Sequence, residues 1–166
     1  MLGSVCDPIL VVAAAEQVLP TFASPEPNLT IETVRDGIPD AGPLGGIAAG
    51  YRAISGRSAL AFVAACDLPF LRPQVVTRLS ELVGDCDAAV PLLGGKRHPL
   101  AAIYRVAALA KAEELLSRGE HRATALLDEL RTRYVTPAEL AEADPELQSL
   151  QNVNTPQDYA ALTRDG

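Results

Sequence analysis

Two continuous apolar runs, Ile9-Leu10-Val11-Val12-Ala13 and Leu60 through Cys66, contain no polar alternation, so each predicts a strand buried on both faces. Leu29 to Val34 does alternate and predicts a short strand near a sheet edge, ending at Arg35-Asp36. Small and apolar residues from Leu44 to Ile54 predict a helix entered through Gly42-Pro43 and stopped at Gly56. A second helix is expected from Pro73 to Val83, closed by Gly84. Strand and helix therefore alternate in the first half of the chain.

The second half changes character. Ala88 to Leu93 and His98 to Tyr104 are apolar runs around Gly94-Gly95, which predicts a hairpin and hence at least one antiparallel strand in a mixed sheet. Helices are expected over Val106–Ser117 and His121–Arg131, a short strand at Arg133-Tyr134-Val135, and a polar helical stretch from Pro137 to Ala143. Thr155-Pro156-Gln157-Asp158 has the makings of a helix start and predicts a terminal helix over Pro156–Thr163. No internal repeat, low-complexity tract or linker interrupts the pattern, so residues 1–166 read as a single domain.

That length suffices for a real core, since a domain of about 150 residues hides roughly 70% of its unfolded surface. The formal net charge of -7 argues against nucleic-acid or anionic-membrane binding. Cys6, Cys66 and Cys86 form no CxxC pair and fit a reducing compartment, and the apolar stretch at Ile9–Ala15 is too short to span a bilayer. The segment before that stretch carries Asp7 and no Lys or Arg, unlike a signal peptide, so a cytoplasmic location is expected.

The chemistry concentrates at three corners. Asp67, in Cys66-Asp67-Leu68-Pro69, stands where a buried strand would empty into solvent, the place where open α/β sheets bind ligands. One carboxylate there is enough for Mg²⁺, which keeps several waters and takes phosphate oxygens as its other ligands. Asp67 also suits a turn or N-cap before Pro69, and spacing does not separate the two roles. Asp36 before Gly37 is ordinary turn chemistry. Gly42-Pro43-Leu44-Gly45-Gly46 would leave backbone N–H groups uncovered at a helix start, suited to an anion or a base edge, although its glycines equally suit close packing. Asn152 and Asn154 flank Val153 and would share one face of an extended stretch, with helix capping as the alternative for Asn154-Thr155-Pro156. His98, one of two histidines, suits a structural role, and aromatics at 4% of residues leave no stripe for stacking bases.

Taken in order, Gly42-Pro43-Leu44-x-Gly46, Cys66-Asp67-Leu68-Pro69-Phe70, His98-Pro99-Leu100-Ala101, Gly119-Glu120-His121-Arg122 and Asn152-Val153-Asn154-Thr155-Pro156 resemble the molybdenum cofactor guanylyltransferases. The resemblance implies an α/β fold of three layers, α/β/α and Rossmann-like, with a mixed, mostly parallel sheet. It implies transfer of GMP from GTP to molybdopterin with release of pyrophosphate, and contacts with molybdoenzymes or cofactor-biosynthesis proteins. Asp67 would ligate Mg²⁺ and act in catalysis; Asp36, Gly42, Pro43, Leu44 and Gly46 would bind GTP with it. Asn152 and Asn154 would line the site, and His98 and Arg122 would face the molybdopterin. Transfer of another nucleotide, such as cytidylyl, and a non-catalytic nucleotide- or partner-binding remnant stand as alternatives.

The resemblance departs at the start of the chain. The family's chain opens with a strand and a glycine-rich loop carrying an arginine and a lysine, and nothing in this sequence matches that first βα unit. The domain thus reads as truncated at its N-terminus relative to the family. In the family that strand lies between the strands corresponding to Ile9–Ala13 and Leu60–Cys66. Its loss would leave ladder groups on both neighbours unpaired at about 1–3 kcal/mol for each one buried, so either the sequence lacks its natural N-terminus, or the sheet closes up, or a partner supplies a strand. Ala13-Ala14-Ala15 also replaces an asparagine that the family uses against the nucleotide.

Overall fold

The computed structural model describes residues 2–22 and 29–153; Asn154 and the terminal helix expected over Pro156–Thr163 lie outside the described residues. The strands are β1 (Ile9–Ala14), β2 (Ile31–Asp36), β3 (Leu60–Ala64), β4 (Ala88–Leu93), β5 (Lys96–Arg97), β6 (Ala101–Arg105) and β7 (Thr132–Val135). The helices are α1 (Gly42–Ile54), α2 (Pro73–Leu82), α3 (Lys111–Ser117), α4 (Ala123–Asp128) and α5 (Pro137–Leu140).

The strands form two sheets. In the larger one, β6 lies antiparallel between β3 and β4, β7 runs parallel to β4, and β5 completes the hairpin with β4. Because β3, β4 and β7 share one direction, β6 and the two-residue β5 are the reversed strands of this sheet. Successive residues along the central strands serve opposite faces, as the pleat requires. Ala88 and Val90 of β4, with Ala102 and Tyr104 of β6, pack against α1, α3 and α4. Ala89 of β4, with Ala101 and Ile103 of β6, packs against α2 and α5. Helices thus cover both faces, giving the three layers.

The second sheet is the parallel pair β1–β2, in register from Ile9 opposite Ile31 to Ala14 opposite Asp36. The expected strand at Leu29–Val34 therefore sits two residues further on: Thr30 is spent anchoring the entry, its N–H donating to Asp7 Oδ1 and its carbonyl accepting from Ile9 N–H at 2.8 Å. Among the described residues β1 does not pair with β3, so the two sheets have not closed up. Both strands read as buried on two faces, yet Ile9–Val12 and Leu60–Val63 are only half-buried; among the described residues each strand is paired along one edge. α1 straddles the seam. Gly46 and Gly50 bring it onto Val12 of β1, while Leu44, Ile47 and Ala48 reach the core shared with Ala61 and Val63 of β3.

Other expectations shift locally. The helix expected over Val106–Ser117 begins as a 3-10 segment, Val106–Ala110, before α3. The helix expected over His121–Arg131 is shortened to α4 at both ends. Glu120 Oε1 accepts the N–H groups of His121 and Arg122, holding Arg122 extended at ψ 126. Arg131 is drawn into the sheet by Asp87, whose N–H donates to its carbonyl and whose carboxylate accepts its N–H. No helix among the described residues is long and apolar enough to cross a membrane.

Candidate functional site

α1 begins beside Asp36 at the end of β2, and beyond its other end Arg57 is held by Glu32 near the start of β2. The helix therefore runs back along the strand. Asp36 ends β2 and Asp67 follows β3, each at the C-terminal end of a strand, where open α/β sheets bind ligands.

Asp67 follows β3 through Ala65, whose N–H donates to Leu100 O at 2.8 Å. That bond sets His98-Pro99-Leu100 beside Cys66-Asp67. Asp67 holds the chain before the C-terminal segment in two ways: its carbonyl accepts from Val153 N–H at 2.9 Å and its Oδ2 accepts from Asn152 Nδ2 at 2.7 Å. Its Oδ1 is buried and, among the described residues, has no hydrogen-bond partner. A buried carboxylate oxygen without a partner is costly unless something positive meets it. Such an oxygen suits a hard divalent cation with few protein ligands, as Mg²⁺ is. Among the described residues no three His, Cys, Asp or Glu side chains gather into a cage, so a transition-metal site of that kind does not fit.

Asp36 forms an Asx turn, its Oδ1 accepting from Ile38 N–H at 3.1 Å. Its Oδ2 lies where a side chain at Gly45 would stand, 2.7 Å from an ideal Cβ, so Gly45 admits the carboxylate to the first turn of α1. There the helix dipole favours an anion. The expectation of uncovered donors at this turn is corrected. Leu44 N–H donates to His121 O at 3.3 Å, Gly45 N–H donates to Ala41 O at 3.2 Å, and Pro43 has no N–H. The Leu44 side chain is fully buried in the core, and Gly46 faces Val12. Gly42, at φ +59, packs its backbone under the His121 carbonyl. The loop after Gly119 thus caps α1, a long-range contact that no local pattern announces.

The same loop presents Arg122. Its Nε and Nη2 donate to Glu120 at 3.0 and 2.6 Å, and this arginine, with the backbone donors of Arg122 and His121, holds the Glu120 carboxyl at about 2. His98 is half-buried, and burial, then the charge of Lys96, pulls its imidazole below the ordinary 6.5. Its backbone is fixed by Pro91 O and Ala101 N–H. The structure therefore groups Asp67, Asn152 and the His98 turn on one side, and Asp36, Gly42–Leu44 and the Arg122 loop on the other. Sequence reasoning missed Glu120 as the partner of Arg122. It also missed Asp144 and Ser149, both buried beyond the expected helical stretch Pro137–Ala143 and tied to the turn after Asp67 through Phe70 and Arg72.

Comparison with known proteins bears on the family and the fold. Residues 1–134 match the MobA-like NTP transferase domain. A probable molybdenum cofactor guanylyltransferase of Methanosarcina mazei is 37% identical over 134 residues, 80% of this chain and 59% of that protein. One from Mycolicibacterium paratuberculosis is 34% identical over 161 residues, 96% of this chain and 75% of that protein. Among solved structures, molybdopterin-guanine dinucleotide biosynthesis protein A of Archaeoglobus fulgidus superposes with TM-score 0.66 at 32% identity, covering 78% of this chain and 65% of its own. A 2-C-methyl-D-erythritol 4-phosphate cytidylyltransferase of Thermus thermophilus shares the fold, with TM-score 0.62 at 22% identity over 95% of this chain and 82% of its own.

Proposed function

Because the chain belongs to the MobA-like NTP transferase family, we propose that it serves guanylyl transfer in molybdenum cofactor synthesis, with GTP as donor and molybdopterin as acceptor. In this reaction a phosphate oxygen of molybdopterin forms a bond to the α-phosphorus of GTP. The bond from that phosphorus to the bridging oxygen breaks, and pyrophosphate leaves with the electron pair. The observation that carries the reading is the buried Oδ1 of Asp67, without a hydrogen-bond partner among the described residues, just beyond a strand end and beside Asn152.

Asp67 would hold Mg²⁺ through that oxygen, and the bound ion would offset phosphate charge during transfer. Asn152 keeps the other carboxylate oxygen occupied and so fixes which one faces the ion; Asn154 would line the same side. Asp36 and the Gly42-Pro43-Leu44-x-Gly46 turn would shape the nucleotide pocket. With the Leu44 and Gly45 N–H groups already engaged, base discrimination falls to the Asp36 carboxylate and the shape of the turn. Arg122 would reach the acceptor phosphate by exchanging Glu120 for it, and His98, uncharged near neutrality, would border the pterin. Protein partners of the same pathway, which would deliver molybdopterin or receive the product, belong to this reading too.

A GTP titration with and without Mg²⁺ tests it. Asp67→Asn should weaken the Mg²⁺-dependent part of binding while leaving the melting temperature near that of the parent chain. Unchanged affinity with a large fall in melting temperature would make Asp67 structural. GTP should bind more tightly than CTP or ATP, because a site built for one base edge leaves groups unpaired with another. Equal affinity for all three would remove the guanylyl assignment.

A further inference from the structure

Behind Asp67 lies a buried polar knot. The Asp144 carboxylate is 1% exposed; its Oδ2 accepts from Ser149 N–H at 2.7 Å, and its Oδ1 has no hydrogen bond among the described residues and stands 3.6 Å from Arg72 Nε. Ser149, fully buried, accepts from Arg72 N–H at 3.0 Å and donates its hydroxyl proton to Phe70 O at 3.3 Å. Arg72 Nη2 also reaches Gln148 Oε1 at 3.4 Å. Leu147 adopts φ +53, a conformation costly for a branched side chain, and Leu150 is buried in the core beneath α2.

A buried ionised carboxylate is expensive, and a hydrophobic residue of similar size often serves stability as well or better. Two segments are joined by this one. The turn at residues 68–72 leads directly from Asp67, and residues 144–150 lead directly to Asn152 and Val153. Both contacts at Asp67, Asn152 Nδ2 to Oδ2 and Val153 N–H to the carbonyl, depend on where the second segment leaves the knot.

We propose that Asp144 and Ser149 are positioning residues for Asp67: with Arg72 they clamp residues 144–150 to the turn at 68–72, so that Asn152 occupies Oδ2 and Oδ1 is left for a divalent cation. The part concerning the cation rests on the reading of Asp67 given above. Residues that orient a metal-holding carboxylate from behind commonly change metal affinity on the order of 10–100-fold when removed.

The test uses the full chain, well below its melting temperature, with Mn²⁺ as probe by water-proton relaxation and amide exchange of Val153 by NMR. Ser149→Ala and Asp144→Ala should each weaken Mn²⁺ binding on the order of tenfold and speed Val153 exchange. Asp144→Asn, which keeps an acceptor for Ser149 N–H, should stay closer to the parent than Asp144→Ala in both. Val76→Ala, a cavity in the same core that removes no hydrogen-bonding group of the knot, should lower thermal stability without either change. Parent-like Mn²⁺ affinity and Val153 exchange in Ser149→Ala would overturn the proposal, as would equal changes in Val76→Ala. If the parent shows no Mn²⁺ binding sensitive to Asp67→Asn, the cation reading of Asp67 fails instead. Val153 exchange then decides the clamp alone, faster in Ser149→Ala than in Val76→Ala supporting it and no difference rejecting it.

Discussion

Asn152 donates its side-chain amide to Asp67 Oδ2 at 2.7 Å across a sequence separation of 85 residues. The bond joins a strand end to the last described stretch of chain, and it leaves one carboxylate oxygen shielded and the other without a hydrogen bond among the described residues.

Asn152→Asp replaces this donor with a second carboxylate. Two close carboxylates repel unless a proton or a cation lies between them. The melting temperature of Asn152→Asp should therefore fall below that of the parent in a chelating buffer and recover as Mg²⁺ is titrated in. A deficit indifferent to Mg²⁺ would place the cation elsewhere.

Gly45→Ala should lower stability by about 1–3 kcal/mol, as overpacking typically does, because the new methyl meets Ala41 Cβ and lies 2.7 Å from Asp36 Oδ2. GTP affinity should fall with it, since relief of the clash moves the Asp36 carboxylate off α1. Urea melts and a GTP titration on the same sample check both halves, and intact stability would mean the turn absorbs the methyl.

His98 gives a signature in pH. Its folded value lies below 6.5 because burial, and then Lys96, disfavour the imidazolium. Above pH 6.5 folded and unfolded chains are both largely neutral there, so His98 contributes no pH dependence. As pH falls through 6.5 the unfolded chain takes up the proton first, and stability declines until the folded imidazole also protonates. The urea midpoint of the parent should drop over this range more steeply than that of His98→Gln. Parallel curves would show that burial does not govern this histidine.

The elements were legible where the pattern is local. Gly42-Pro43 marks the start of α1, Pro73 that of α2, and the Gly94-Gly95 turn marks the reversal of direction, since backbone geometry at such residues is set by their own covalent structure. Apolar runs also predicted β1 and β3, but a run records what lies above and below a strand, not what lies beside it. The open edges were therefore invisible in periodicity. Asp67 was singled out because it follows the apolar run that forms β3. Asp144 was not, because its burial is decided by Arg72 and Ser149, and polar composition alone reads as surface. The cap on α1 from His121 was hidden for the same reason, being a contact between distant segments.

The division into two sheets bears on how any ligand is held. Asp36 rides on a two-stranded unit that is marginal without a packed helix, whereas Asp67 and Asn152 belong to the five-stranded body. α1 acts as the splint between them. For a ligand that touches both carboxylates, apparent affinity is the intrinsic affinity scaled by the fraction of molecules in which the small unit is docked. Methyl groups at Gly46 or Gly50, on the face of α1 toward Val12, would thus tune binding from outside the crevice, by changing occupancy of the docked form instead of any contact with the ligand.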